Sequence, residues 1–396
     1  MKQLAILRNL FFLAFIVFAI SGCGNSIEQN VSGKAVIDSI ASQFVPDARM
    51  GICDINLKKG DSGTQILTGE TTSREAKAAI IKTLSKHVDK LIDSVLILPD
   101  TSVNKKCIGL ATVSVINIRK HPRQSAELVS QSLLGTPVMI LKNEDDWSLV
   151  QTPDNYLGWV EESSLIPLSM SDLQSWRHSD RVIVTVNSGW IYSAPDEKET
   201  AGDIVAGCIF VKKGEERGFT KVSYPDGRTG FVESKSVTDF NKWKAGIRAN
   251  GESVVRYAST FMGLPYLWGG SSTKGVDCSG FTKTVYFLNG LILFRDASQQ
   301  ALQGMTVDIS NGYGQLRPGD LLFFGSMRDS GPHVTHVAVY KGDTEFIHSS
   351  GRVKISSLDS TRSNYSGFRK SFLLSAKRFI GSNDPGILEI RSHPWY

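Results

Sequence analysis

Metal-ligand spacing is missing from this chain. Its five cysteines and seven histidines form no Cys-x-x-Cys and no His-x-x-x-His pair, which argues against a zinc site. A strong excess of charge of one sign is missing too. Lysine and arginine number 44 against 39 acidic residues, a formal net charge of +5. Lys2 and Arg8 supply two of those charges within an acid-free first 22 residues, which leaves +3 for the rest. So small a bias argues against nucleic acid as a partner. An apolar run long enough for a comfortable membrane span, roughly 20 residues, is also lacking. The run at 10–20 has instead the length of a signal-peptide core.

That run follows the basic start formed by Lys2 and Arg8 and leads into Ile20-Ser21-Gly22-Cys23. Small residues ending in a cysteine are similar to the lipobox of bacterial lipoproteins, in which the cysteine is diacylated and becomes the new N-terminus. Residues 1–22 are therefore read as a lipoprotein signal peptide, Cys23 as the lipidation site and 23–34 as a polar tether. The protein is expected to be exported and membrane-anchored, facing the periplasm or the cell exterior. Export bears on the remaining thiols, since in an oxidising compartment they tend to be paired, buried or functional. Cys53 and Cys107 could bridge. Cys208, inside Ile204-Val205-Ala206-Gly207-Cys208-Ile209-Phe210, reads as a small buried hydrophobe.

A length of 396 residues exceeds the size at which one core stops growing, so several domains are expected. Residues 35–108 form an N-terminal extension. Within it 51–67 reads as strands and turns, and 73–98 as an amphipathic helix from the spacing of Ala76, Ala79, Ile80, Leu84, Val88, Leu91 and Ile92, with Thr72 or Ser73 as its cap. From about residue 111 the period becomes two. Short strands around Val113-Val115, Val138-Leu141, Trp147-Val150 and Tyr156-Val160 recur as Val182-Trp190, Ile209-Val211, Phe219-Val222 and Gly227-Val232. An aromatic strand, Pro-Asp, a turn and Gly-aromatic-Val-Glu appear in both sets, which marks a tandem repeat. The two copies, 109–170 and 178–242, resemble bacterial SH3-like domains. Residues 248–385 run helices first (253–262, 277–287, 297–305) and strands after (321–324, 336–340, 345–348, 372–379). This is an α+β order, and it suits a papain-like core. Residues 386–396 read as a tail. The fold class expected is α+β, a papain-like catalytic domain preceded by two small SH3-like β-barrels and a short N-terminal α/β extension.

Chemistry concentrates in that last domain. Asp277-Cys278-Ser279-Gly280-Phe281 puts a thiol in the first turn of a predicted helix, where unpaired N–H groups and the helix dipole favour an anion. Two histidines follow on strand-like segments, His336 in Thr335-His336-Val337-Ala338-Val339-Tyr340 and His348 in Phe346-Ile347-His348-Ser349. A thiol needs a base to react at neutral pH. His336 is the candidate base and His348 the candidate orienter of its ring, whereas His333, beside Pro332, reads as a loop residue.

Four blocks in order carry a specific likeness: Pro265-Tyr266-Leu267-Trp268-Gly269-Gly270, the Asp277–Phe281 stretch, Arg317-Pro318-Gly319-Asp320-Leu321-Leu322-Phe323-Phe324 and the His336 strand. Residues 250–380 thereby resemble the NlpC-type family of papain-like cysteine peptidases, which cut bacterial cell-wall peptides. The resemblance implies Cys278 as nucleophile, His336 as base, His348 as orienter, and Tyr266 as a site-lining residue that supports the oxyanion. With the tandem SH3-like domains, residues 45–385 resemble the γ-D-glutamyl-L-diamino acid endopeptidases (dipeptidyl-peptidase VI). These release L-alanyl-D-glutamate from murein peptides with a free N-terminal alanine, and their first SH3-like domain closes one end of the groove. Asp296 and Glu127 match that family's partners for the ammonium, and Ser279 and Tyr156 its polar contacts. A monomer without metal or organic cofactor is expected, with murein-derived peptides and the membrane as partners. Two other readings stay open: an endopeptidase on polymeric or cross-linked murein that uses the SH3-like pair to bind the wall, and a noncatalytic binding lipoprotein.

Overall fold

The computed structural model describes residues 26–103 and 105–396. The segment read as a signal peptide, residues 1–22, and Cys23 lie outside the described residues. Among those described, no helix is long and apolar enough to cross a membrane. The chain divides into two units, residues 1–48 with 52–97 and residues 49–51 with 98–396.

The first unit has helix α1 (Ser26–Phe44), strands β1 (Cys53–Lys59) and β2 (Gln65–Thr71), helix α2 (Arg74–Leu84) and strand β3 (Leu91–Ile97). β1 and β2 pair antiparallel, and β3 lies parallel to β2 from Gln65↔Leu91 to Thr71↔Ile97. Two expectations are corrected here. The stretch read as a tether to residue 34 is helical from Ser26, because Val36, Ile37 and Ile40 recur at helical spacing and pack with Ile55, Leu67, Ile80, Leu84 and Val95. The amphipathic helix does start on the Ser73 cap, whose hydroxyl accepts the Ala76 N–H at 3.0 Å, but it stops at Leu84. Leu91 and Ile92 fit either period, and the full-length ladder with β2 decides for a strand. Cys53 packs in this core, Cys107 packs in cores of the other unit, and both are free thiols, so the candidate bridge is not formed.

The second unit opens with two seven-stranded sheets. The first contains β4 (Ile108–Ala111), β5 (Val115–Arg119), β6 (Leu128–Leu133), β7 (Pro137–Glu144), β8 (Trp147–Gln151), β9 (Leu157–Glu161) and β10 (Leu165–Leu168). Helix α3 (Met170–His178) follows. The second contains β11 (Arg181–Val184), β12 (Ser188–Tyr192), β13 (Thr200–Val205), β14 (Ile209–Glu216), β15 (Phe219–Ser223), β16 (Thr229–Glu233) and β17 (Val237–Asp239). Spatial orders are β6-β5-β9-β8-β7-β4-β10 and β13-β12-β16-β15-β14-β11-β17, the same topology twice. Irregular registers recur at equivalent places, Ile140/Lys142 and Lys212/Gly214, then Ile118/Arg119 and Ile191/Tyr192. A repeated bulge is a designed bend rather than a defect. Each copy has its own core, Ile116, Ile118, Val138, Ile140, Val150 and Val160 in the first, and Val182, Ile191, Ile204, Phe210, Val222 and Val232 in the second. Cys208 is fully buried in the second core, and burial pushes its thiol up to about 12.

After helix α4 (Phe240–Gly246) the catalytic domain has helices α5 (Gly251–Thr260), α6 (Cys278–Phe287) and the short α7 (Ala297–Gln300). Small strands β18 (Ser271–Ser272), β19 (Gly275–Val276) and β20 (Leu291–Ile292) lie among them. Then come β21 (Met305–Val307), β22 (Leu321–Arg328), β23 (Gly331–Gly342), β24 (Glu345–Ser350), β25 (Arg352–Ser357), helix α8 (Gly367–Ser371), β26 (Leu373–Arg378) and β27 (Leu388–Glu389). Six strands form one antiparallel sheet in the order β21-β26-β22-β23-β24-β25. Its central strands are buried on both faces. Leu321, Phe323, Val337, Val339 and Ile347 pack with Phe281 and Val285 of α6, while Leu322, Phe324, Ala338, Tyr340 and Phe346 form a second cluster. That explains the unbroken apolar run Leu321-Leu322-Phe323-Phe324. Burying each of these side chains stabilises the domain by about 1.5–3 kcal/mol.

Three further readings are corrected. The third helix ends at Gln300, because Met305–Val307 pairs with β26 instead. His333 lies within strand β23, opposite Ser326, and not in a loop. The supposed tail pairs through Leu388–Glu389 with β20 and buries Ile390 and Tyr396 beside Ile108, Leu110 and Leu173, so its apolar residues complete a core.

Candidate active site

Helix α6 starts where Asp277 caps it. The Asp277 carboxylate accepts the Gly280 N–H at 2.7 Å, which places Cys278 at the first helical position, 8% exposed. A Cβ on Gly280 would lie 1.9 Å from the Gly270 carbonyl oxygen, so only glycine lets the helix's first turn meet the preceding loop. Gly269 has φ +77°, and a Cβ added there would lie 2.3 Å from the Leu128 carbonyl oxygen. This loop is thus wedged against strand β6 of the first SH3-like domain.

The Asp277 carboxylate is also the anchor of a buried clamp. Arg295 Nη2 donates to Asp277 Oδ2 at 2.6 Å and Arg295 Nη1 to Oδ1 at 3.1 Å, and Gly269 N–H donates to Oδ2 at 2.9 Å. Arg295 is 1% exposed. Burial works against its charge, but the Asp277 carboxylate outweighs this and raises the guanidinium above its ordinary value. Ser279 is drawn into the same clamp. Its hydroxyl accepts from Arg295 Nη1 at 3.0 Å and donates to Asp277 Oδ1 at 3.3 Å.

His336 and His348 stand on neighbouring strands β23 and β24, 6% and 2% exposed. His336 Nε2 and His348 Nδ1 are 2.8 Å apart, and His348 Nε2 is 3.1 Å from Ser356 Oγ on β25. With Nε2 engaged, Nδ1 is the His336 nitrogen left to face a thiol. Phe324 and Phe346 wall the two rings at centroid distances of 5.8 and 5.0 Å. Burial, then the positive charge of Arg369, holds His336 well below 6.5 and brings His348 to about 3. Burial, then Asp277, pushes the Cys278 thiol up to about 11, against the pull of the Val337 N–H, Arg295 and the Ser279 N–H. The buried surroundings therefore favour a neutral thiol and neutral imidazoles. Tyr266 is half-buried. Burial, then the Cys278 and Asp277 charges, raises its phenol to about 12, so it remains a hydrogen-bond donor near the sulfur.

Three of the four candidate substrate contacts, Tyr156, Asp296 and Glu127, fall at the junction with the first SH3-like domain, while Ser279 belongs to the clamp. Tyr156 Oη donates to Asp296 Oδ2 at 3.2 Å, bringing a residue of the β8–β9 turn to the start of α7. Burial and the neighbouring Asp296 raise the Tyr156 phenol. Glu127 accepts from the indole N–H of Trp268 at 2.9 Å and pairs with Lys120 at 3.5 Å. It therefore borders the loop before Cys278. Gln131 fastens the same junction, its Oε1 accepting from Ser271 N–H at 2.9 Å and Ser272 Oγ at 3.0 Å. A buried Lys283–Asp154 pair at 2.7 Å does so again.

Sequence reasoning passed over Arg295, Ser356, Gln131 and Arg49. Arg295 stands one residue before Asp296 and was the one most within reach, since an arginine in the apolar stretch Leu291-Ile292-Leu293-Phe294 needs an acid partner. The others join segments that no local pattern connects.

A thiol at a helix start, an imidazole pair on an adjoining antiparallel sheet and a helix-first chain order define a papain-like cysteine peptidase. Comparison with known proteins agrees. The NlpC/P60 family matches residues 263–370, and the bacterial dipeptidyl-peptidase SH3 domain matches residues 118–165. The chain is 30% identical over 231 residues to the γ-D-glutamyl-L-lysine dipeptidyl-peptidase of Bacillus cereus, covering 56% of this chain and 67% of that protein. It is 28% identical over 267 residues to dipeptidyl-peptidase 6 of Lysinibacillus sphaericus, covering 63% and 92%. A crystal structure of an NlpC/P60 family protein from Bacillus cereus shares the fold, with a TM-score of 0.60 and 24% identity over 69% of this chain and 99% of that one. The chain belongs to the NlpC/P60 family of cysteine peptidases.

Proposed function

We propose that the protein hydrolyses the γ-D-glutamyl-diamino acid bond of murein peptides whose N-terminal L-alanine is free, releasing L-Ala-D-Glu. The observation that carries this is the bond between Tyr156 and Asp296. It sets a carboxylate of the catalytic domain against the first SH3-like domain, where a bound peptide's ammonium would end. A site that pairs a charged amine rejects strands in which that nitrogen is an amide. Relatives named as dipeptidyl-peptidases support the reading, as does this chain's own match to the bacterial dipeptidyl-peptidase SH3 domain.

In the reaction His336 takes the proton of Cys278 as sulfur attacks the γ-carbonyl carbon, with the first-turn N–H groups and Tyr266 facing the developing oxyanion. His336 then gives that proton to the leaving amine of the diamino acid, which leaves a thioester. Water, deprotonated by the same imidazole, hydrolyses the thioester and restores the thiol. His348, backed by Ser356, keeps the His336 ring in place through both transfers.

The test is the end-group requirement. L-Ala-γ-D-Glu-L-Lys and the corresponding meso-diaminopimelate peptide are incubated with the full chain, each with a free and an N-acetylated alanine. Acetylation is expected to lower kcat/KM by about 10²-fold or more. Undiminished cutting of the blocked peptides would instead support an endopeptidase acting on polymeric murein. Export and lipid anchoring at Cys23 are proposed from Lys2, Arg8, the apolar run and Ser21-Gly22-Cys23. Cells fed labelled palmitate should label the native chain but not a Cys23→Ser variant, and equal labelling of both would refute the anchor.

A further inference from the structure

Residues 49–51 belong to the second unit although the chain on both sides belongs to the first. Two backbone carbonyls hold them there. Arg49 O accepts the Leu157 N–H at 2.8 Å, and Met50 O accepts Gln151 Nε2 at 2.8 Å. Both donors are on the first SH3-like domain, on strands that flank the turn bearing Tyr156. From this fixed point the Arg49 side chain reaches α7. Its Nη1 donates to Asp296 Oδ2 at 2.8 Å and to Ser298 Oγ at 3.1 Å.

Asp296 Oδ2 thus receives two donors, one from Arg49 and one from Tyr156. A charged donor and a phenol on the same oxygen fix the carboxylate's rotation. The carboxylate also accepts the Gln299 N–H as the cap of α7. Since an ionised carboxylate has room for about four hydrogen bonds, a place remains for a further cation, and the Asp296 side chain is 28% exposed. Resting on the substrate reading above, we propose that Arg49 is a positioning residue for recognition of the peptide's free amine: it holds Asp296 ready to receive the ammonium.

The alternative physical role for a cation at this place is a competitor that the substrate must displace. The geometry favours support. A competitor works best on a mobile arm, whereas Arg49 has its backbone tied to β9 and its guanidinium tied to Ser298 as well as Asp296. Holding the acceptor before binding lowers the ordering that binding would otherwise require. A residue that acts only by holding the acceptor for a remote end of the substrate affects binding rather than the chemical step.

The experiment uses the full chain and L-Ala-γ-D-Glu-diamino acid peptide, with kcat, KM and thermal midpoint measured for wild type, R49Q, R49K, D296N and the R49Q/D296N double variant. R49Q is expected to raise KM about tenfold with kcat within about twofold, and R49K to recover part of the loss. In the D296N background R49Q should add nothing further, since Arg49 acts through Asp296. A merely structural arginine would lower the thermal midpoint without this dependence on Asp296. A fall in KM for R49Q, no change in KM, or independent effects of R49Q and D296N would each overturn the inference. If wild type cuts free and N-acetylated peptides alike, the substrate reading fails and this inference falls with it. Discrimination by wild type with an unaltered KM in R49Q removes this inference alone.

Discussion

Cys278→Ala is expected to lose at least about 10⁴-fold in kcat while remaining folded. The side chain is small and sits at the edge of the apolar cluster of Phe281, Val337 and Val339, so removing the sulfur should lower stability by no more than about 1 kcal/mol. The thiol is the atom to which the whole site is referred. Asp277 caps the helix that begins with Cys278, and the two imidazoles stand on the sheet packed against that helix. Residual turnover above that level, with the variant's circular dichroism and melting unchanged, would mean that another group is the nucleophile. The pH profile of wild type tests the same pair. His336 is held well below 6.5 chiefly by burial, then by Arg369. A base with a lowered pKa stays neutral, and able to accept the thiol proton, until the pH falls through that lowered value. The acid limb of kcat/KM is therefore expected to have its midpoint below pH 6.5. A midpoint at or above 6.5 would contradict a desolvated base.

Arg295→Leu is expected to destabilise the protein by about 3–5 kcal/mol, because it leaves the Asp277 carboxylate buried without a counter-charge. The pair is at 2.6 Å with side chains 1% and 10% exposed, so solvent offers little relief. Asp277 would retain the Gly269 and Gly280 N–H groups, which soften the loss without neutralising the charge. Asp277→Asn should cost a similar amount for the opposite reason, an unpaired guanidinium. The double variant should lose less than the two single losses added together, since each removes the other's stranded charge. Urea unfolding of the four proteins measures this coupling. A loss below about 1 kcal/mol in R295L, or strict additivity, would show that the clamp does not hold the start of α6. Activity in R295L should fall along with stability, as Cys278 is adjacent to Asp277 in the chain and takes its position from the cap.

Much of the site was legible because its members carry local signatures. Asp277-Cys278-Ser279-Gly280 announces a capped helix with a thiol in its first turn, and alternation marks the His336 and His348 strands. The SH3-like pair was legible through repetition, and the structure reproduces even the bulges. Strands β4, β6 and β10 of the first copy, β13 and β17 of the second, and β18 to β21, β25 and β27 of the last domain were not anticipated. β6, Leu128–Leu133, mixes serine and glutamine with leucine because it lies against the catalytic domain through Gln131 and Leu128. A strand packed on another domain need not alternate as one facing water does. The 73–98 segment failed differently, since Leu91 and Ile92 satisfy both periods and only the partner strand at 65–71 separates them.

The two SH3-like copies show most directly where local reading stops. Tyr156 in Pro153-Asp154-Asn155-Tyr156-Leu157-Gly158-Trp159 occupies the place of Arg228 in the second copy's Pro225-Asp226-Gly227-Arg228-Thr229-Gly230-Phe231. The folds around them are alike, yet Tyr156 bonds Asp296 whereas Arg228 donates to the Thr112 carbonyl at 2.7 Å. Order along the chain was enough to indicate the family and the reaction class, and to put forward a thiol and its base, because each of these readings rests on residues within one helix, one strand or one repeat. That Arg49 and Tyr156 both bond Asp296 was decided by tertiary structure. Arg49, Tyr156 and Asp296 meet across sequence separations of 247 and 140 residues. Side-chain periodicity reports the local surroundings of a segment and carries nothing about a partner that only folding brings within 3 Å.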